Sequence, residues 1–143
     1  MRHTFIAAAI GLSLLVLVSG CATVEKGTRV SVAGGAYLSI SPVELGRMLK
    51  SKDFFLVNVH VPYAGEIPRT DAFISYKDTE ARIGDYPHDK GAKIMVYCLT
   101  NRMSAIAAKQ LVEAGFRNIY MLDGGMTAWV KAGFTLMNRS AAE

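Results

Sequence analysis

The sequence predicts an α/β fold, one domain with a central parallel sheet and helices on both faces. Three observations carry that expectation. Short apolar runs of strand length alternate along the chain with segments of helical spacing. The runs Phe54–Val59, Ile94–Tyr97 and Ile119–Leu122 are almost continuously apolar, as strands covered on both faces are, rather than alternating as in a half-solvated sheet. The 143 residues, 51% of them hydrophobic and 20% charged, suffice for one buried core and little more.

The elements follow in order. Ser41-Pro42-Val43-Glu44 opens a helix, with Ser as N-cap, Pro at the first helical position and Glu completing a capping box. It is expected to reach Leu49 and to turn Val43, Leu45 and Leu49 inward. Phe54–Val59 is the next strand. Pro62, Gly65 and Pro68 then hold an irregular loop before a short strand around Ala72–Ile74. Residues 75–92 are polar, with one short helix expected around Thr79–Ile83. Ile94–Tyr97 is a buried strand that runs directly into Cys98. In Ser104–Ala114, the residues Ile106, Ala107, Leu111 and Ala114 share a helical face, and Gly115 ends the helix. Ile119–Leu122 is a further strand. Asp123-Gly124-Gly125 turns it into a helix from Met126 to about Ala132. Such alternation builds parallel strands joined by crossover helices.

Outside this pattern lie two other kinds of segment. Arg2 and His3 precede an apolar stretch, Phe5–Val18, too short to span a hydrocarbon core of roughly 30 Å comfortably. The stretch ends in Val18-Ser19-Gly20-Cys21, which resembles the lipobox of bacterial lipoproteins, where the chain is cut before the Cys and that Cys is acylated. Residues 1–21 are therefore read as a lipoprotein signal peptide, with Cys21 the lipidation site and the membrane a partner through its acyl chains. Each buried methylene contributes about 0.8 kcal/mol, so several chains anchor firmly. The expected location is the cell envelope, outside the cytoplasmic membrane. Ala22 lacks the Asp that signals inner-membrane retention in enteric lipoproteins, which points to the outer membrane in a cell that has one. Residues 22–36 read as a flexible tether, 37–136 as the folded domain and 137–143 as a tail. The net charge of +4 comes from basic residues scattered singly, and no Lys/Arg run suggests nucleic acid. No His, Asp, Glu or Cys set has metal-ligand spacing, so no metal is expected.

With Cys21 lipidated, Cys98 is the one free thiol left to the mature chain, and no internal disulfide forms. Cys98 falls where a buried strand ends and a helix begins. Ligands of open parallel sheets bind beyond the carboxyl ends of the strands. There the unpaired amides of the following loop, and the positive end of the helix dipole, favour a thiolate and an anion bound beside it. A buried structural Cys occupies such positions as well, and position alone leaves both readings open.

The segment Val96-Tyr97-Cys98-Leu99-Thr100-Asn101-Arg102-Met103-Ser104 resembles the active-site segment of rhodanese-like sulfurtransferases. Ser41-Pro42-Val43-Glu44-Leu45 is similar to that family's first helix start, and Gly65-Glu66-Ile67-Pro68 to its Gly-His-Ile-Pro loop. Asp123-Gly124-Gly125-Met126-Thr127-Ala128-Trp129 with Ala132-Gly133-Phe134 resembles its closing motif. The resemblance spans about residues 38–135. It implies a sulfurtransferase in which Cys98 carries sulfur as a persulfide, in a loop of amides from Leu99, Thr100, Asn101, Arg102, Met103 and Ser104. The implied partners are a small sulfur-containing anion or persulfide donor and a thiol or cyanide acceptor, with no metal or organic cofactor.

The chain departs from that family at several points. Leu99 stands where Arg or Lys is frequent, and Asn101 stands where Gly is frequent and is expected to tolerate a left-handed turn. Arg102 either supplies the missing cation or is solvated, and Met103 reads as packing. Asn58-Val59-His60 replaces Asp-Val-Arg, which removes an acid and a permanent cation. His60 reads as a satisfied loop histidine, His88 as surface, and Trp129 as a packing residue. Related phosphatases and arsenate reductases place Arg where this loop has Ser104, which argues against phosphoryl chemistry. Rhodanese-like domains also serve as inactive binding modules. The changes at Asn58, His60, Leu99 and Asn101 keep that alternative open, and the presence of Cys98 argues against it.

Overall fold

A computed structural model describes residues 26–138, so the apolar stretch and Cys21 lie outside the described residues. The strands are β1 (Gly27–Val32), β2 (Gly35–Ile40), β3 (Phe55–Asn58), β4 (Ala72–Phe73), β5 (Lys93–Tyr97) and β6 (Asn118–Leu122). The helices are α1 (Pro42–Lys50), α2 (Arg102–Glu113) and α3 (Gly125–Lys131), with one 3₁₀ turn at Ile83–Asp85. The sheet order is β1-β2-β6-β5-β3-β4, and every pairing but the first is parallel. This is the α/β class expected of the alternating pattern.

The two faces of the sheet bury two apolar layers. Val57, Val96, Ile94, Ile119 and Met121 pack beneath α2, against Ala107, Ala108, Leu111 and Val112. Leu56, Met95, Tyr97 and Leu122 pack on the other face against Leu45 and Met48 of α1 and Met126 and Trp129 of α3. Successive residues of each central strand thus go to opposite layers, and both destinations are apolar. That is why the strands read as unbroken hydrophobic runs.

Four expectations need correcting. Residues 27–36 are not tether: Gly27–Val32 and Gly35–Ile40 form an antiparallel hairpin across Ala33-Gly34, with Gly34 at φ +83°. Val30 and Val32 pack onto the α2 layer, so the hairpin is part of the core. The domain also extends past Leu136, because Met137 and Glu66 exchange both backbone hydrogen bonds at 2.7 and 2.8 Å. The helix expected at Thr79–Ile83 is a series of turns ending in the 3₁₀ segment. One bond, Arg82 N–H to Asp78 O, keeps the four-residue spacing, while Ile83 N–H to Glu80 O and Asp85 N–H to Arg82 O tighten the rest to three. Finally, α1 turns Glu44, Leu45 and Met48 inward, while Val43 is 67% exposed. Glu44 is buried because its carboxylate is fully engaged: it accepts from Lys26 N–H at 3.2 Å and takes two bonds from Arg47 at 2.7 and 3.0 Å. Those interactions hold its carboxyl below the usual range, the Arg47 hydrogen bond contributing most.

Candidate active site

The carboxyl ends of β3, β5 and β6 lie side by side, and the loop after β5 crosses between them. Cys98 follows the last residue of β5 and is 1% exposed. Val59 N–H donates to Tyr97 O at 2.9 Å, carrying the β3–β5 pairing up to the cysteine. Cys98 Sγ lies 3.3 Å from Ser104 Oγ. That hydroxyl also donates to Asn101 O at 3.1 Å, which fixes its position in the first turn of α2.

Helix α2 starts at Arg102, and Ala105 N–H to Asn101 O, at 2.9 Å, is the first bond that closes a helical turn. Among the described residues, the amides from Leu99 to Ser104 have no hydrogen-bond acceptor. Six N–H groups are thus left to whatever occupies the loop, at the positive end of a twelve-residue helix. An anion or a polarisable sulfur meets that need.

Two carbonyls of the same loop are tied to α3. Met126 N–H donates to Cys98 O at 2.9 Å and Thr127 N–H to Leu99 O at 3.0 Å. Gly125 makes this closeness attainable: a Cβ there would stand 2.4 Å from both Cys98 O and Thr100 O, and its φ of +58° itself favours glycine. A second latch comes from Asn101, whose side chain donates to Asp123 Oδ1 at 3.1 Å and accepts from Gly124 N–H at 2.7 Å. Asn101 itself sits at φ −121°, ψ −27°, so no left-handed turn occurs at this position, contrary to the sequence expectation. Asn occupies it because its amide offers a donor and an acceptor at once.

The remaining loop residues divide simply. Leu99 is 40% exposed and Thr100 and Arg102 are also exposed. Arg102 has no carboxylate partner among the described residues. Met103 packs against the α2-side core, as its packing role predicts.

At the end of β3, Asn58 is wholly buried and also uses both ends of its amide. Nδ2 donates to Gly65 O at 3.0 Å and Oδ1 accepts from His60 N–H at 3.0 Å. The Asn58 amide thus clamps the 59–65 loop without a charge. His60 is not the satisfied loop histidine the sequence suggested. It is buried, and its Nδ1 has no hydrogen-bond partner. Burial disfavours its charged form and lowers its pKa. Below the loop, the Tyr97 hydroxyl accepts from Ile67 N–H at 3.0 Å and lies 2.7 Å from Thr70 Oγ1. Trp129 stacks on Phe134 at 4.2 Å and donates to Thr135 O at 2.9 Å, a packing role, and His88 is exposed. No three His, Cys, Asp or Glu side chains among the described residues are grouped to hold a metal.

The chain resembles known proteins along most of this domain. A family model described as Rhodanese-like domain matches residues 47–132. Thiosulfate sulfurtransferase GlpE of Pseudoalteromonas translucida is 31% identical over 102 residues, covering 68% of this chain and 92% of that protein. The protein of the same name from Coxiella burnetii is 30% identical over 97 residues, covering 65% of this chain and 87% of its own length. The crystal structure of a rhodanese-related protein from Thermoplasma volcanium superposes with a TM-score of 0.60 at 24% identity, over 69% of this chain and 96% of that one. This last likeness is one of fold.

Proposed function

The chain belongs to the rhodanese-like domain family, and on that premise we propose that it is a sulfurtransferase acting through a persulfide on Cys98. One observation carries the reading: a buried thiol at the carboxyl end of β5, beneath six unpaired amides at the start of α2. The Cys98 thiolate attacks the outer sulfur of a donor such as thiosulfate. The donor's S–S bond breaks, its electron pair leaves with sulfite, and Cys98 keeps the sulfur as a persulfide. A cyanide ion or thiolate then attacks that terminal sulfur, and the Cys98 thiolate departs unchanged. No external oxidant or reductant is consumed. The amides of Leu99 to Ser104 stabilise the charge on the bound sulfur and on the departing oxyanion. Similarity to the thiosulfate sulfurtransferases supports thiosulfate as a donor to try first.

Intact mass spectrometry of the purified protein tests the reading. Thiosulfate is expected to add one sulfur, about 32 Da, that cyanide removes and Cys98→Ser never acquires. A folded wild type that gains no sulfur from thiosulfate or from any organic persulfide would leave the binding-module reading.

The same proposal places the domain at the cell envelope, outside the cytoplasmic membrane and held by acylated Cys21. Its support is the order of apolar stretch, Ser19-Gly20 and Cys21. Labelled palmitate is expected to enter the wild type and not Cys21→Ser, and an unlabelled wild type would remove the anchor.

A further inference from the structure

At the far end of the sheet from Cys98, two adjoining hollows of about 100 and 220 Å³ share the walls Arg29, Ala36 and Arg117. Arg29 lies in β1 and Arg117 immediately before β6. Cys98 follows the carboxyl end of β5, three strand spacings, about 14 Å, across the sheet from Arg29 in β1.

The chemistry of the hollows is one-sided. Neither is lined by Asp or Glu. Neither Arg29 nor Arg117 has an ion-pair partner among the described residues; Asp89, which flanks Gly91 with the Arg117 guanidinium, does not bridge to it. Tyr37 lines the smaller hollow, is 7% exposed, and its hydroxyl makes no hydrogen bond to any described residue. A tyrosine hydroxyl is a donor at neutral pH, and burial raises its pKa further. Phe116 lines the larger hollow, and Lys90 Nζ stands 3.8 Å over its ring, adding a third cation close by.

Two guanidinium forks and a phenol thus present donors with no protein acceptor, and Asp89, the acid that approaches Arg117, stays beyond ion-pair distance. A tetrahedral dianion is the ligand that such forks match, because each can take two oxygens while the charge is balanced. We propose that the Arg29–Arg117 groove is a second binding site of this protein, for a phosphate group. The site is independent of the persulfide reading. Phosphate could reach it from solution or as a lipid headgroup. Arg29 lies eight residues after Cys21, so a chain anchored there keeps the groove within about 28 Å of a membrane surface.

The test uses the full chain inserted in nanodiscs of phosphatidylcholine, titrated with inorganic phosphate and followed by the amide resonances of Ala36 and Asn118. Saturable shifts are expected. Arg29→Gln and Arg117→Gln should each weaken binding at least fivefold, and the double variant should abolish it. The amide spectrum of each variant reports its folding, and Arg29→Lys with Arg117→Lys keeps the charge while removing the forks, so intermediate binding is expected there. Discs containing phosphatidic acid identify the source. If headgroups fill the groove, added phosphate no longer shifts the wild type; if they do not, the soluble anion is the ligand. Absence of saturation in the neutral discs, or wild-type affinity in the folded double Gln variant, overturns the proposal.

Discussion

Asn101, on the loop after β5, is joined to Asp123, on the turn after β6, by a 3.1 Å side-chain bond, and the same amide accepts from Gly124 N–H at 2.7 Å. The loop that holds Cys98 is thereby tied to the turn that opens α3. Replacing Asn101 by Gly removes both bonds, each contributing about 1 kcal/mol net. The expected result is a loss of roughly 2 kcal/mol in denaturant unfolding and a slower persulfide-forming step in stopped-flow mixing with thiosulfate. An unchanged rate and stability would show that the backbone alone holds the loop.

Ser104 is the polar side chain that touches Cys98 Sγ, at 3.3 Å. Its single proton is directed to Asn101 O, and rotation of the O–H bond toward the sulfur lets it donate to the thiolate instead, which favours the reactive form. Ser104→Ala leaves volume and helix intact and removes that donor. Formation of the Cys98 persulfide is expected to slow about tenfold, the equivalent of a charge-assisted bond of about 1.4 kcal/mol. Rescue by Ser104→Thr, measured in the same assay, separates the hydroxyl's role from one of packing.

Gly125 admits no side chain. A methyl there would stand 2.4 Å from the carbonyl oxygens of Cys98 and Thr100, at a φ of +58°. Backbone strain alone costs about 1–3 kcal/mol, and the collision adds to it. Gly125→Ala is expected to lower the melting temperature by several degrees and to abolish sulfur loading. Gly84→Ala, where a Cβ meets nothing within 4 Å, is the control that should do neither.

His60 makes stability depend on pH with a definite sign. Its folded pKa lies below the ordinary 6.5 because it is buried, so on acidification the unfolded chain binds a proton first. Its contribution is complete above about pH 6.5 and is lost as the pH falls toward its folded pKa. The carboxyl of Glu44, lowered by Arg47, acts in the same direction but only below its ordinary 4.5, a separate window. Denaturation midpoints between pH 7.5 and 5.5 should therefore fall for the wild type and stay flatter for His60→Asn. Parallel curves would mean that His60 titrates alike in both states.

Much of the architecture was legible because burial leaves local marks. The three apolar runs are strands because both faces of the sheet are covered, and Ser41-Pro42 with Glu44 opens α1, Ser41 Oγ accepting from Glu44 N–H at 3.2 Å. The hairpin was also present in the sequence: Val30 and Val32 alternate with Arg29 and Ser31 before Gly34-Gly35, a strand pattern meeting a turn. Small residues and a position beside the signal segment made it read as tether. Val43 misled for a different reason. Spacing leaves the choice of buried face open, and Lys26, at the head of β1, drew Glu44 inward instead.

The sequence by itself determined the chemistry on offer: one thiol beyond a buried strand, a loop of amides, and a helix to follow. Tertiary structure decided which groups hold that chemistry in place. Asn101 meets Asp123 across 22 residues, Asn58 clamps Gly65 and His60, and Gly125 lies against Cys98 O. None of these has a local signature, since an amide's partners are chosen by strands that become neighbours only when the sheet assembles. Arg29 and Arg117, 88 positions apart, share a groove for the same reason: β1 and β6 flank β2.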